Sequence, residues 1–123
     1  PLLNACQEGH LDVVRVLLKK GADVHKATVK EGASPFLTAC SFRHLDVARL
    51  LLENGANVDQ TDNNGIFPLY FACKWGHIDV VRLLLENEAN VNQTNNKGDS
   101  PLGVSCYRGQ VDVARLLLEN GAD

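Results

Sequence analysis

The sequence predicts an all-α repeat solenoid in which each unit is a helix–turn–helix followed by a β-hairpin or loop. Three observations predict it. Prolines fall at Pro1, Pro35, Pro68 and Pro101, at intervals of 34, 33 and 33. Cysteines fall at Cys6, Cys40, Cys73 and Cys106, with the same intervals. The segments HLDVVRVLLKKGADV, HLDVARLLLENGANV, HIDVVRLLLENEANV and QVDVARLLLENGAD recur in that phase. A fixed period of this size marks units that cannot bury an apolar face alone and must stack. Four units result, at approximately 1–32, 33–65, 66–98 and 99–123, all within one domain; the additional residue of the first interval lies in HKATVKEGASP.

Within each unit the first helix begins at the proline, whose missing N–H is of no consequence there. Ser34 and Ser100 stand before it as N-caps. This helix is about seven residues long, for example Pro68 to Lys74, and Gly9, Gly76 and Gly109 supply the left-handed turn that stops it. The second helix runs about ten residues, as in Leu11 to Lys20, with valines and leucines at helical spacing. Asp12, Asp46, Asp79 and Asp112 occupy its first turn, where the helix dipole favours them. Arg15, Arg49, Arg82 and Arg115 follow three residues later, within reach of those aspartates. Gly21, Gly55 and Gly121 end it. Polar stretches such as NQTNNKGDS make the extended hairpin. Helices this short are marginal alone and hold through nearest-neighbour stacking.

The composition is ordinary for a globular chain, with 45% hydrophobic and 22% charged residues. The net charge of −3 lacks the basic excess of a nucleic-acid binder, so no nucleic-acid partner is expected. No apolar run approaches the ~18 residues of a membrane span, so no membrane insertion is expected. No signal-peptide pattern opens the chain. Unpaired cysteines in this number suit a reducing, intracellular compartment, the cytoplasm or alternatively the nucleus. Opening at Pro1 without an initiator methionine, the chain is expected to be a piece of a longer array.

The residues resemble the ankyrin repeat over essentially the full chain. The period, the Pro-Leu helix start, the Ala-(Ala/Cys)-x-x-Gly-His turn, the Val-Val-x-Leu-Leu-Leu run and Gly-Ala-Asp-Val all match that family. Departures are specific. The family's Thr-Pro-Leu-His is intact nowhere: Ser34, Phe67 and Ser100 stand at the threonine, and Leu3, Leu37, Tyr70 and Gly103 at the histidine. Arg43 and Glu88 replace turn glycines, each at a cost of about 1 kcal/mol for a left-handed conformation. The resemblance implies a non-catalytic interaction module whose hairpin tips and first helices line a concave, partner-binding face.

Cys73, Lys74, Trp75 and His77 crowd within five residues, as a metal or catalytic site would. The repeat argues otherwise. Cys73 has an equivalent in every unit, and His77 has equivalents at His10 and His44. Stacked helices lie about 8–10 Å apart, too far for disulfides between in-phase cysteines. Ligands in a line do not close a tetrahedron around zinc. The cysteines are therefore expected to be small buried packers, and the histidines to orient the turn. No nucleophile–base triad or phosphate loop stands out, so no catalytic residue, cofactor or metal is expected.

Function is sought where the units differ. Two adjacent columns at the end of the first helix vary most: Gln7, Ser41, Lys74, Tyr107, and Glu8, Phe42, Trp75, Arg108. The hairpin tips vary too, with Asn63, Asn64 and Ile66 in one and Asn96, Lys97 and Asp99 in another. Phe42, Trp75 and Tyr107 are of the types enriched at binding hot spots. Tyr70 is expected to widen this aromatic patch, and Ile66 and Phe67 to add apolar surface. The expected partner-binding residues are thus Phe42, Ile66, Tyr70, Lys74, Trp75, Tyr107, Arg108, Asn63, Asn64, Asn96 and Lys97, centred on the third unit. The expected partner is a protein or peptide. Alternatives are a targeting or regulatory segment of a larger enzyme or channel, a spacer, or an engineered binder. Val111, Leu117 and Leu118 lack polar capping, so the chain is expected to be a monomer or a weak dimer through its terminal repeats. Asn92 is the one hairpin position at which the resemblance implies asparagine hydroxylation.

Overall fold

In the computed structural model, which describes residues 1–123, eight helices run in four pairs. They are α1 (Leu2–Glu8), α2 (Leu11–Lys19), α3 (Pro35–Ser41), α4 (Leu45–Glu53), α5 (Pro68–Trp75), α6 (Ile78–Glu86), α7 (Pro101–Tyr107) and α8 (Val111–Glu119). Local chemistry sets their ends. Ser34 and Ser100 accept hydrogen bonds from the N–H groups of Leu37 and Gly103, each at 3.0 Å, as expected of N-caps. Phe67 fills the same place before α5 without any side-chain bond to the helix; it is fully buried and leans on Tyr70, with ring centroids 5.9 Å apart. Phe67 therefore adds core rather than the expected surface. Gly9, Gly76 and Gly109 adopt the left-handed turn, and Arg43 and Glu88 adopt it too, at φ 60° and 63°. The second helices end on a further device, a side-chain cap by asparagine. Asn54, Asn87 and Asn120 each donate their side-chain amide to the carbonyl four residues back, at 2.8–2.9 Å.

The core is a single ladder through the stack. Val14, Val47, Val80 and Val113 repeat in it, as do Leu51, Leu84 and Leu117. Small residues Ala5, Ala39, Ala72 and Ser105 lie on the inner helices and are buried. They let neighbouring first helices pack closely, whereas neighbouring second helices touch far less. A stack that is tighter along one row bends towards it, which places α1, α3, α5 and α7 on the inner side with the loop tips. Leu117 is buried beneath α7 and α8, not exposed as expected, because it faces its own unit rather than the open end. Val111 and Leu118 are indeed exposed there.

The expected hairpins are tight turns held by two backbone bonds each, not strand ladders. Thr28, Asp62 and Asn95 donate N–H bonds to the carbonyls of Ala33, Ile66 and Asp99 at 3.0, 2.8 and 3.0 Å. Inside two of the turns an Asx side chain does the work of a second strand: Asp62 accepts from the N–H groups of Asn64 and Ile66, and Asn95 from those of Lys97 and Asp99.

Two sequence expectations about charge and burial change. Of the four Asp-x-x-Arg pairs only Asp112–Arg115 forms, at 3.4 Å. The Oδ1 atoms of Asp46 and Asp79 accept instead from the N–H of the following valine, at 2.7 and 2.9 Å. Asp79 also binds Arg43 of the preceding unit at 3.1 Å. Open N–H groups at a helix start compete well for a carboxylate, and an exposed i, i+3 arginine offers little in return. Among the cysteines, Cys6, Cys40 and Cys73 are buried as expected, but Cys106, on the outer side of α7, is exposed.

Candidate functional site

The inner face carries two adjoining grooves. The first, about 640 Å³, lies between the tips around Glu31 and Asp62 and the first helices of units two and three. Leu37, Phe42, Ile66, Tyr70, Phe71, Lys74 and Trp75 give it apolar and aromatic walls, and Glu31 and Asp62 stand on its tip side. The second, about 440 Å³, lies between units three and four and is bounded by Tyr70, Lys74, Asp99, Gly103, Val104, Tyr107 and Arg108. Tyr70 and Lys74 border both grooves.

The variable columns at the helix ends fall on this face. Trp75 is 50% exposed and Phe42 52%, while Tyr107 is 89% exposed. Trp75 rests on Phe71, one turn earlier, with ring centroids 6.3 Å apart, and Phe71 also meets His77 at 6.2 Å. Phe71, which the sequence columns leave unplaced, is thus the support beneath the indole. Two cations lie over the Trp75 ring: Lys74 Nζ at 5.5 Å and Arg108 Cζ at 5.1 Å from its centroid. Phe42 stacks on His44, with centroids 6.4 Å apart and planes 10° from parallel. Tyr70 is largely buried, so it offers the groove little free surface and does not widen the aromatic patch as expected.

The tip residues divide. Asn64 and Lys97 are exposed. Asn63 and Asn96 lie against Gly32 and Gly65 of the preceding tips, in space that a Cβ on either glycine would fill. Asn63 also donates its N–H to the Glu31 carbonyl at 2.8 Å and its side-chain amide to that of Lys30 at 3.3 Å. These two asparagines hold successive tips in register as well as lining the edge of the face. Asn92 accepts from the N–H of Asp123 at 3.1 Å.

Gly103 opens a hole that the sequence columns show only as the loss of a family histidine. Leu3, Leu37 and Tyr70 occupy the same place in the other units, and their bulk was the available signal.

Burial dominates the chemistry of the crowd around Cys73. Burial pushes the Cys73 thiol up to about 12, against a lowering hydrogen bond from Ser105. Cys6 is likewise pushed up to about 11 by burial. Thiols held protonated are poor nucleophiles and poor ligands. His77 is held below its ordinary value of 6.5, first by burial and then by the charge of Arg43, with Asp79 opposing. Its Nδ1 is buried without a hydrogen-bond partner. Nowhere do three or more His, Cys, Asp or Glu side chains gather as a metal-holding group. No helix is long and apolar enough to cross a membrane.

A comparison with curated proteins returns no match. A family model described as ankyrin repeats (3 copies) matches residues 1–62 and again residues 58–123. Repeats of that family are in general protein–protein interaction modules and in general non-catalytic. The two matches together take in the whole sequence, and the stacked helix pairs follow its period: the chain belongs to the ankyrin-repeat family.

Proposed function

We propose that this chain is a non-catalytic interaction module that binds a protein or an extended peptide across its inner face, with the third unit at the centre. The observation that carries this reading is the placement of Trp75. It is the sole tryptophan, half exposed, propped on Phe71 and set at the rim of the larger of the two inner-face grooves. Rigid aromatic anchors beside a concavity are the commonest hot spots of protein interfaces. Phe42, Tyr107, Lys74 and Arg108 extend the contact on either side, Ile66 and Tyr70 supply its apolar floor, and Asn63, Asn64, Asn96 and Lys97 supply its tip edge. A reducing, intracellular setting fits a chain with three buried free thiols and no disulfide.

The test is a pull-down from lysate with three baits of equal helicity by circular dichroism: the parent chain, Trp75→Ala with Tyr107→Ala, and Arg82→Ala. Arg82 is exposed in a column that every unit shares. A partner kept by the parent and by Arg82→Ala but lost by the double variant supports the reading. Identical catches by all three baits overturn it.

A second reading concerns assembly. Val111 and Leu118 are exposed at the open end of the fourth unit, beside a groove of about 730 Å³ lined by Ser105, Cys106, Ala114 and their neighbours. Such a face favours a weak dimer over a strict monomer. Light scattering across a concentration series decides: a constant monomer mass removes the dimer.

A further inference from the structure

We infer that the gap between the third and fourth units is a seat for one carboxylate side chain of an extended peptide, held between Lys74 and Arg108. This rests on the inner-face reading and specifies the charge of what binds there. Lys74 comes from the last turn of α5 and Arg108 from the cap of α7, and both lie over the same indole. The chain has two ion pairs, Arg43–Asp79 and Arg115–Asp112, and neither cation belongs to them. Two positive charges therefore share one aromatic ring without a counter-anion. The ring's quadrupole offsets their repulsion in part, and an arriving carboxylate removes it. At the two other gaps the equivalent positions hold Gln7 with Phe42 and Ser41 with Trp75, so the cationic pair is particular to this gap.

The gap has room for a side chain because of Gly103. An added Cβ there would meet nothing within 4 Å except Ser100 Oγ at 3.2 Å. Where the preceding unit presents Tyr70, the fourth presents open space, walled by Tyr107 on the far side. The ligand is a single carboxylate rather than a polyanion for an electrostatic reason. Asp99 stands on the same gap, and Glu31 and Asp62 stand on the tip side of the adjoining groove. A phosphate chain laid along the face would meet those acids. A peptide meets them favourably if it carries an acid over units three and four and a neutral or basic residue over unit two.

A selection of short, fully randomised displayed peptides on the whole chain tests this, run in parallel on Lys74→Gln with Arg108→Gln and on Trp75→Ala. Glutamine keeps the length of each side chain and removes its charge. Enriched peptides should carry Asp or Glu at one fixed position. Replacing that acid by its amide in a synthetic representative should weaken binding about tenfold to the parent chain and little to the double variant. Peptides that need Trp75 but show no acidic position overturn the carboxylate seat while leaving the inner-face reading intact. Acidic peptides that bind the double variant unchanged also overturn the seat. A selection that enriches nothing on the parent chain overturns both.

Discussion

His44 seats its imidazole on the bare Cα of Gly9 in the preceding unit, and its Nε2 donates to the Gln7 carbonyl at 2.9 Å. A Cβ at Gly9 would come within 2.6 Å of the ring. Gln110 sits on Gly76 in the same manner. The turn glycine thus serves twice, as a left-handed stop and as a notch for the next unit. Gly9→Ala should cost about 1 kcal/mol for its positive φ and roughly 1–3 kcal/mol more for displacing the imidazole. Gly109 has a similar φ of 69° but nothing within 4 Å, so Gly109→Ala should cost only the first amount. Urea unfolding of the two variants measures the difference, and equal losses would remove the notch.

Glu88 holds a φ of 63° without the freedom of glycine. Glu88→Gly should therefore stabilise the array by about 1 kcal/mol. Arg43 holds a similar angle, but its guanidinium reaches Asp79, in a pair whose side chains are 51% and 36% exposed. Such a pair contributes about 0–1 kcal/mol, so Arg43→Gly should gain less than Glu88→Gly. Thermal melts of both variants check the order.

Acid should weaken the fold in two stages. Above about pH 6.5 His77 is neutral folded or unfolded, and its lowered value has no effect. As the pH falls through 6.5 the unfolded chain takes a proton that the folded chain resists, and stability declines. At Asp79 burial alone would raise the carboxyl, but the Arg43 bond, the Val80 N–H and the Arg43 charge outweigh it and hold it below 3.8. That contribution is present above pH 3.8 and is lost as the pH falls below it. His77→Gln, which copies Gln110 of the next unit, should flatten the melting temperature between pH 7 and pH 5. An unchanged slope would assign the loss to other groups.

Thiol labelling should separate the cysteines. Cys106 is exposed, whereas Cys6, Cys40 and Cys73 are buried, with burial pushing all three thiols upward. One equivalent of a maleimide should react quickly at neutral pH and three more only on unfolding. Peptide mapping identifies the first site, and early modification of Cys40 would contradict its packing.

The period, the helix pairs, the serine caps and the left-handed turns were legible in the sequence because each depends on residues within one unit. A proline, a serine before it and a glycine eight residues after it specify a short helix whatever lies beside it. The exposed placement of Phe42, Trp75 and Tyr107 was legible too, since residues that differ between units cannot all satisfy the same core position. What depends on the neighbouring unit was not. Asp79 prefers Arg43, which lies 36 residues away, to the arginine three residues on. Phe67 and Tyr70 look like surface aromatics in their own unit, and stacking buries them. The gap at Gly103 and the meeting of Lys74 with Arg108 over one indole exist only once units three and four are stacked. The sequence by itself determined the unit and its repetition, through short-range backbone and capping chemistry. The tertiary structure alone decided which charges meet and which rings the stack buries, because those contacts join residues about one period apart across an interface that no single unit contains.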